Sequence, residues 1–220
     1  MGKLIVIEGL DGSGKSTQTD LLFENLSKNG VLCRSVSFPN YEDDSSALVK
    51  MYLAGQFGQK PGDVNAFAAS SFYAVDRYAS FKKDWGEYYK AGGTVVSARY
   101  TTSNAIHQCS KLPSDMWEEY LSWLYDFEYK KLGIPAPDAV FFLDMPTEIS
   151  QKLMDKRYDA NGGHKDIHES DLEYLENCRK AALFTAQYSG WEIVTCGKDG
   201  EARTIEDIAQ ELLCRTLKVL

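Results

Sequence analysis

No stretch of this chain approaches the roughly 20 consecutive apolar residues that a membrane-spanning helix needs. The opening apolar run, Leu4-Ile5-Val6-Ile7, is cut short by Glu8 and is too brief for a secretory leader. Basic residues are scarce: 24 Lys and Arg face 32 Asp and Glu, for a formal net charge of -8. That balance argues against a general grip on nucleic acid or on an anionic membrane. It leaves room for a local cluster of N–H groups and basic side chains that holds one small anion. Cys33, Cys109, Cys178, Cys196 and Cys214 form no CxxC pair and show no metal-ligand spacing. An odd number of scattered thiols without a leader reads as reduced packing residues in a cytoplasmic protein. Repeats, low-complexity tracts and linkers are also missing, so residues 1–220 read as one domain.

What is present is alternation. Short β-branched runs at Leu4 to Ile7, Val31 to Ser37, Thr94 to Ser97, Ala139 to Leu143 and Trp191 to Thr195 predict strands. Several are apolar without a polar face, as strands covered on both sides should be. Helical patterns lie between them. One runs from Lys15 to about Asn29 and stops at Gly30. The last is capped by Thr204 and carries Ile205, Ile208, Ala209, Leu212, Leu213 and Leu217 along one stripe. Crossovers of this length predict a three-layer α/β sandwich around a five-stranded parallel sheet. Tyr158 to His168, with Asn161-Gly162-Gly163, reads as a loop between two helices.

The sharpest motif is Gly9-Leu10-Asp11-Gly12-Ser13-Gly14-Lys15-Ser16-Thr17, a full GxxxxGK[ST] match placed after a predicted strand and before a predicted helix. Glycines let the backbone curl so that successive N–H groups converge on phosphates, and the helix adds its positive end. Gly9, Gly12, Ser13, Gly14, Lys15, Ser16 and Thr17 are therefore the expected ATP-binding residues. Lys15 would reach the β- and γ-phosphates, and the Ser16 hydroxyl would ligate Mg²⁺. No guanine-reading NKxD segment and no HRD loop of protein kinases occurs. A small-molecule kinase is what remains.

The acid inside this loop, Asp11, narrows the reading. Ile7 to Thr17 resembles the thymidylate kinase signature, and the resemblance continues through Phe38-Pro39, Tyr73-Ala74-Val75-Asp76-Arg77 and Arg99 to Gln108. It implies a fold of the P-loop nucleoside monophosphate kinase type, transfer of phosphate from ATP to dTMP with Mg²⁺, and a homodimer. It also implies roles. Asp11 approaches the acceptor near its 3′-hydroxyl and 5′-phosphate and can help hold the metal. Tyr73, or Phe72 if the register differs by one, stacks on the base while Arg77 bonds the thymine edge. Positions i and i+4 share a helix face, so Tyr73 and Arg77 can address one ligand. Arg99 grips the acceptor phosphate, Ser103 and Asn104 contact the base, and His107 crowds the sugar 2′ carbon. A lid at about 156–168, with Lys156 and Arg157 at its entrance, would supply the catalytic arginine, with Arg157 closing over the phosphates.

Two positions depart from the resembled pattern. Ala98 stands where the family usually has an aspartate that organises metal-bound water. Tyr41 stands where members often carry an arginine, one phosphate contact fewer. Strand-end logic alone would instead name Asp144 as the magnesium acid.

Overall fold

The computed structural model describes residues 1–161 and 172–220, the side chains at 61, 156–161 and 172–174 excepted. Strands β1 (Lys3–Gly9), β2 (Cys33–Ser37), β3 (Thr94–Ala98), β4 (Ala139–Asp144) and β5 (Glu192–Thr195) form one sheet in the order β2-β3-β1-β4-β5. Every neighbouring pair in it is parallel. The expected strands are therefore present, trimmed at their starts: Val31 and Leu32 precede β2, and Trp191 precedes β5. A two-stranded antiparallel hairpin, β6 (Gly197–Lys198) and β7 (Glu201–Ala202), was not foreseen. Its strands are too short for any periodicity, yet the Asp199-Gly200 pair at φ 52° and 82° is the turn chemistry that marks a tight hairpin.

The helices among the described residues are α1 (Lys15–Lys28), α2 (Ala47–Leu53), α3 (Ala66–Ser80), α4 (Gly86–Lys90), α5 (Thr101–His107), α6 (Trp117–Tyr125), α7 (Thr147–Asn161), α8 (Leu172–Ser189) and α9 (Ile205–Thr216). Alternation within β1 divides the core. Ile5 and Ile7 pack with Leu22 and Leu26 of α1 and with Ile208, Leu212 and Leu213 of α9. Leu4 and Val6 face the other way, onto Phe38, Phe81, Trp85, Tyr89 and Tyr100. This is the three-layer sandwich expected from the sequence. The stripe on α9 is narrower than predicted: Ile205 is 51% and Leu217 43% exposed. They occupy the first position and the C-cap of the helix, beyond the residues that pack under the sheet.

Two helices widen into π turns. Phe81–Trp85 joins α3 to α4, and a side chain on Gly86 would meet the Phe81 carbonyl oxygen at 2.2 Å. Asp126–Lys131 extends α6. Such turns often occur at functional sites. The sheet register pairs Ile7 with Ala98 and Gly9 with Leu143. The loops after β1, β3 and β4 therefore emerge at one edge, the carboxyl edge where ligands bind in open α/β sheets.

At the far end of the chain, the Thr204 hydroxyl accepts from the Asp207 N–H at 3.1 Å. Thr204→Ala should lower stability by about 1 kcal/mol, read as a reduced urea midpoint at unchanged slope.

Candidate active site

The glycine-rich loop is built by steric exclusion. A side chain on Gly9 would lie 2.4 Å from the Ser13 hydroxyl, and one on Gly12 would lie 2.7 Å from the Ser150 carbonyl of α7. Gly12 and Gly14 also sit at φ 77° and 83°, where a Cβ is strained. The loop curls tightly enough for the Ser13 N–H to reach the Leu10 carbonyl at 3.2 Å. Lys15, the first residue of α1, folds back and donates to the Leu10 carbonyl at 3.3 Å and to Asp11 Oδ1 at 3.2 Å. Gly12, Gly14, Lys15, Ser16 and Thr17 line a cleft of about 350 Å³. Gly9 and Ser13, expected with them, are buried and do not line it. The Ser13 hydroxyl has no partner among the described residues, an orphaned polar atom under the cradle.

A second cleft of about 250 Å³ adjoins the first, and the two share Asp11 and Arg99. Tyr73, Arg77, Ser103, Asn104 and His107 all line it. The substrate-binding set expected from the sequence thus converges on one cavity. Phe72 does not line it and packs instead on Phe57 and Tyr52, at 5.4 and 6.3 Å between ring centroids. The register favours Tyr73.

Arg99 holds the junction. Its Nη2 donates to Asp11 Oδ1 at 2.7 Å, and its Nη1 donates to the Ser103 hydroxyl at 3.4 Å. Nη1 also lies 3.4 Å from His107 Nε2. Its backbone sits at φ 63°, a left-handed conformation that costs a non-glycine residue on the order of 1–3 kcal/mol. Hydrogen bonds from Arg99 N to the Ile7 carbonyl and from Ser97 Oγ to the Arg99 carbonyl hold it there. Strain of this kind concentrates where a side chain must be aimed.

Three expectations gain detail. Arg77 is buried, and its Nε and Nη2 donate to both oxygens of Glu128 at 2.7 and 2.6 Å, while Nη1 donates to the Tyr100 carbonyl at 3.3 Å. A guanidinium has five N–H groups, so one on Nη1 and one on Nη2 stay available to the cleft. The Ser103 hydroxyl proton goes to Glu8 Oε2 at 2.8 Å, which makes Ser103 a link between Glu8 and Arg99. Asn104 Nδ2 donates to the Ser70 carbonyl at 3.2 Å, leaving Oδ1 as the acceptor for a ligand N–H.

Sequence reasoning passed over Glu8, Tyr52 and Gln108. Glu8 is fully buried and accepts from Thr102 Oγ1 at 2.7 Å as well as from Ser103. Gln108 lines the second cleft, and its buried Oε1 has no partner among the described residues. The i, i+4 spacing from Asn104 could have flagged it. Tyr41, counted as a lost contact, is half-exposed and lines the same cleft. Asp144 is held bidentately by Arg179 at 2.9 and 3.0 Å, which occupies the carboxylate that strand-end logic assigned to a metal. Ala98 closes β3, paired with Ile7 and Ser37, and is buried. Tyr158 to Asn161, expected in a loop, continue α7; the rest of the lid at 162–168, with the side chains of Lys156 and Arg157, lies outside the described residues.

Charge is tightly coupled here. Burial alone would raise the Asp11 pKa, but Lys15, Arg99 and His107 outweigh it and hold the carboxyl well below its ordinary range. Burial, with Arg99 nearby, pushes the Lys15 ammonium down to about 8, against the opposing pull of Asp11 and Glu8. Burial also keeps the Tyr73 phenol protonated well above its usual value. The donor set suits Mg²⁺, which takes few protein ligands and completes its shell with water and phosphate oxygens. The Ser16 hydroxyl and the Asp11 carboxylate border the same cleft, and either could reach such an ion.

A strand, a glycine cradle with its lysine, and a second cleft joined to it through one carboxylate and one arginine define a P-loop kinase of the nucleoside monophosphate type. The family model for thymidylate kinase matches residues 7–208, and the chain belongs to the thymidylate kinase family. Among its relatives, the thymidylate kinase of Mycobacterium tuberculosis is 27% identical over 86% of this chain and 87% of its own length. That of Plasmodium falciparum is 29% identical over 77% and 75%. A probable thymidylate kinase of Pyrobaculum aerophilum is 25% identical over 97% of both chains.

Two measurements follow from this geometry. Unfolded Lys15 titrates near the ordinary lysine value of 10.5 and folded Lys15 near 8, so the folded protein binds fewer protons between them and its stability from this group rises with pH across that window. In catalysis the sign reverses, because Lys15 must be charged to hold phosphate. The kcat/KM for ATP should fall as pH rises through about 8, whereas the kcat limb should lie higher, since bound phosphates keep the proton on. Glu128→Ala would strand the buried Arg77 charge and should cost about 3–5 kcal/mol in urea unfolding.

Proposed function

We propose that this chain transfers the γ-phosphoryl group of ATP to dTMP, giving ADP and dTDP. The observation that carries the reading is the pair of clefts that meet at Asp11 and Arg99. ATP phosphates fit the glycine cradle, with Lys15 on their β and γ groups. The dTMP phosphate fits beside Arg99, its base between Tyr73 and the available N–H groups of Arg77, with the imide N–H toward Asn104 Oδ1. An oxygen of the acceptor phosphate attacks the γ-phosphorus, the bond to the β-bridging oxygen breaks, and ADP leaves. Lys15 and Arg99 offset the charge spread over the transferred group, and this kind of positioning and electrostatic support does most of the work in phosphoryl transfer. Mg²⁺, when bound through Ser16 and Asp11, would supply further charge compensation between the β- and γ-phosphates. Arg157 adds a closing cation from the lid, and His107 crowds a ribose 2′-hydroxyl.

We also propose a homodimer and a cytoplasmic setting. Val75 and Tyr78 on α3 and Leu48 and Leu53 on α2 expose large apolar side chains that a second copy could cover. All five cysteines are free, as a reducing compartment requires.

Ala98 favours a second reading, a nucleotide-binding protein with weak catalysis, because a methyl cannot organise metal-bound water. A coupled assay of ADP release with ATP, Mg²⁺ and dTMP separates the possibilities when run beside Ala98→Asp. Turnover that depends on dTMP is expected from both forms, with the aspartate raising kcat on the order of a hundredfold. No dependence on dTMP, with activity on UMP or CMP instead, would move the acceptor to another monophosphate. Arg157→Ala should lower kcat on the order of tenfold or more while leaving the dTMP KM nearly unchanged.

A further inference from the structure

Helix α2 forms the outer wall of the acceptor cleft, and it is poorly anchored by its own sequence. Seven residues are too few for a helix to persist alone in water. Only Val49 among them is buried; Ala47, Leu48, Lys50 and Leu53 are exposed. The turn that leads into α2 is tied to α3 through Ser45 Oγ on Asp76 at 2.7 Å; within α2, Met51 is half-buried and so is Tyr52. Its ring stands edge-on to Tyr73 at 6.4 Å and tilted on Phe72 at 6.3 Å. Its hydroxyl accepts from Lys111 Nζ at 2.6 Å, and the same ammonium lies 5.0 Å from the ring centroid, off the hydroxyl end.

Lys111 comes from the short turn Cys109–Lys111 that follows α5. It is half-buried, yet no carboxylate pairs with it among the described residues. A buried lysine normally has an acid for a partner. Burial lowers its pKa to about 8, a sign that its solvation is incomplete. The phenol oxygen is what it has in exchange, and that oxygen belongs to α2.

We propose that Lys111 is a positioning residue for the acceptor site: by clamping Tyr52 it holds α2 against α5 and sets the ring of Tyr73 for the ligand base. Tyr52 and Tyr73 both line the cleft, whereas Lys111 stands behind Tyr52 and acts through it. The proposal rests on the second cleft being the acceptor site.

The test has two arms. Hydrogen exchange of the α2 amides in the ligand-free protein reads the clamp without any substrate. Lys111→Met and Tyr52→Phe should each speed exchange across residues 47–53 about tenfold, with α1 and α9 unchanged, as loss of a charge-assisted hydrogen bond predicts. In kinetics, each variant should raise the dTMP KM about tenfold, with kcat and the ATP KM changed less than twofold. The double variant should be no worse than either single one, because both remove the same contact. Lys111→Arg, which keeps a cationic donor at the phenol oxygen, should restore most of the affinity. Unchanged α2 exchange in both single variants, or additive losses in the double one, would overturn the clamp. If the unsubstituted protein shows no turnover on dTMP, the acceptor assignment fails, and the exchange arm still decides whether the clamp exists. A variant that unfolds globally would show fast exchange in α1 and α9 as well, which overturns a role confined to α2.

Discussion

The structure depends on one carboxylate shared by two cations. Lys15 and Arg99 are both largely withdrawn from water, and each would repel the other if nothing stood between them. Asp11 Oδ1 accepts from both, at 3.2 and 2.7 Å. It lets the glycine cradle and the acceptor cleft approach closely enough to share a wall. The arrangement is also preloaded. In the proposed reaction, phosphates bound on either side would take over one cation each and free the carboxylate. The exchange replaces one anion with others at nearly fixed positions, so little reorganisation accompanies binding.

Behind this junction lies a second tier of buried acids. Glu8 draws in the hydroxyls of Thr102 and Ser103, which orients the first turn of α5 and, through Ser103, Arg99. Glu128 does the same for Arg77 and also accepts from Thr101 at 2.8 Å. Two carboxylates on separate elements thus grip consecutive residues at the start of one helix. That gives α5 a defined rotation, and with it the directions of Asn104 and His107.

The parts readable in advance were those whose chemistry is local. The cradle is nine adjacent residues with a strand before and a helix after, so each needed only its neighbours to be interpreted. The five sheet strands announced themselves through unbroken apolar runs, and Thr204 announced its helix by a capping geometry three residues long. Partners far apart in the chain were different. Nothing in Arg77 points to Glu128, 51 positions on, and nothing in Tyr52 points to Lys111, 59 positions on. Ser103 was correctly brought to the cleft, but its proton goes to an acid in β1 that a sequence reading had treated only as the end of an apolar run. The resemblance supplied residue positions; which hydrogen bond each one spends on the protein itself became visible only in three dimensions.

The π turn at Asp126–Lys131 has a bearing on which residues this chain can lose. A π turn holds one residue more than the α-helical turn it replaces. Removing a residue there would restore a regular helix without breaking α6, and a surface view would suggest a harmless deletion. Each residue of an α-helix turns the chain by about 100°, so Glu128 would be carried off the face that meets Arg77. The segment can accept changes of side chain at its exposed positions but not a change of count. Loops are where insertions and deletions are usually absorbed; here a piece of helix is the stretch whose length the buried Arg77–Glu128 pair has made inflexible.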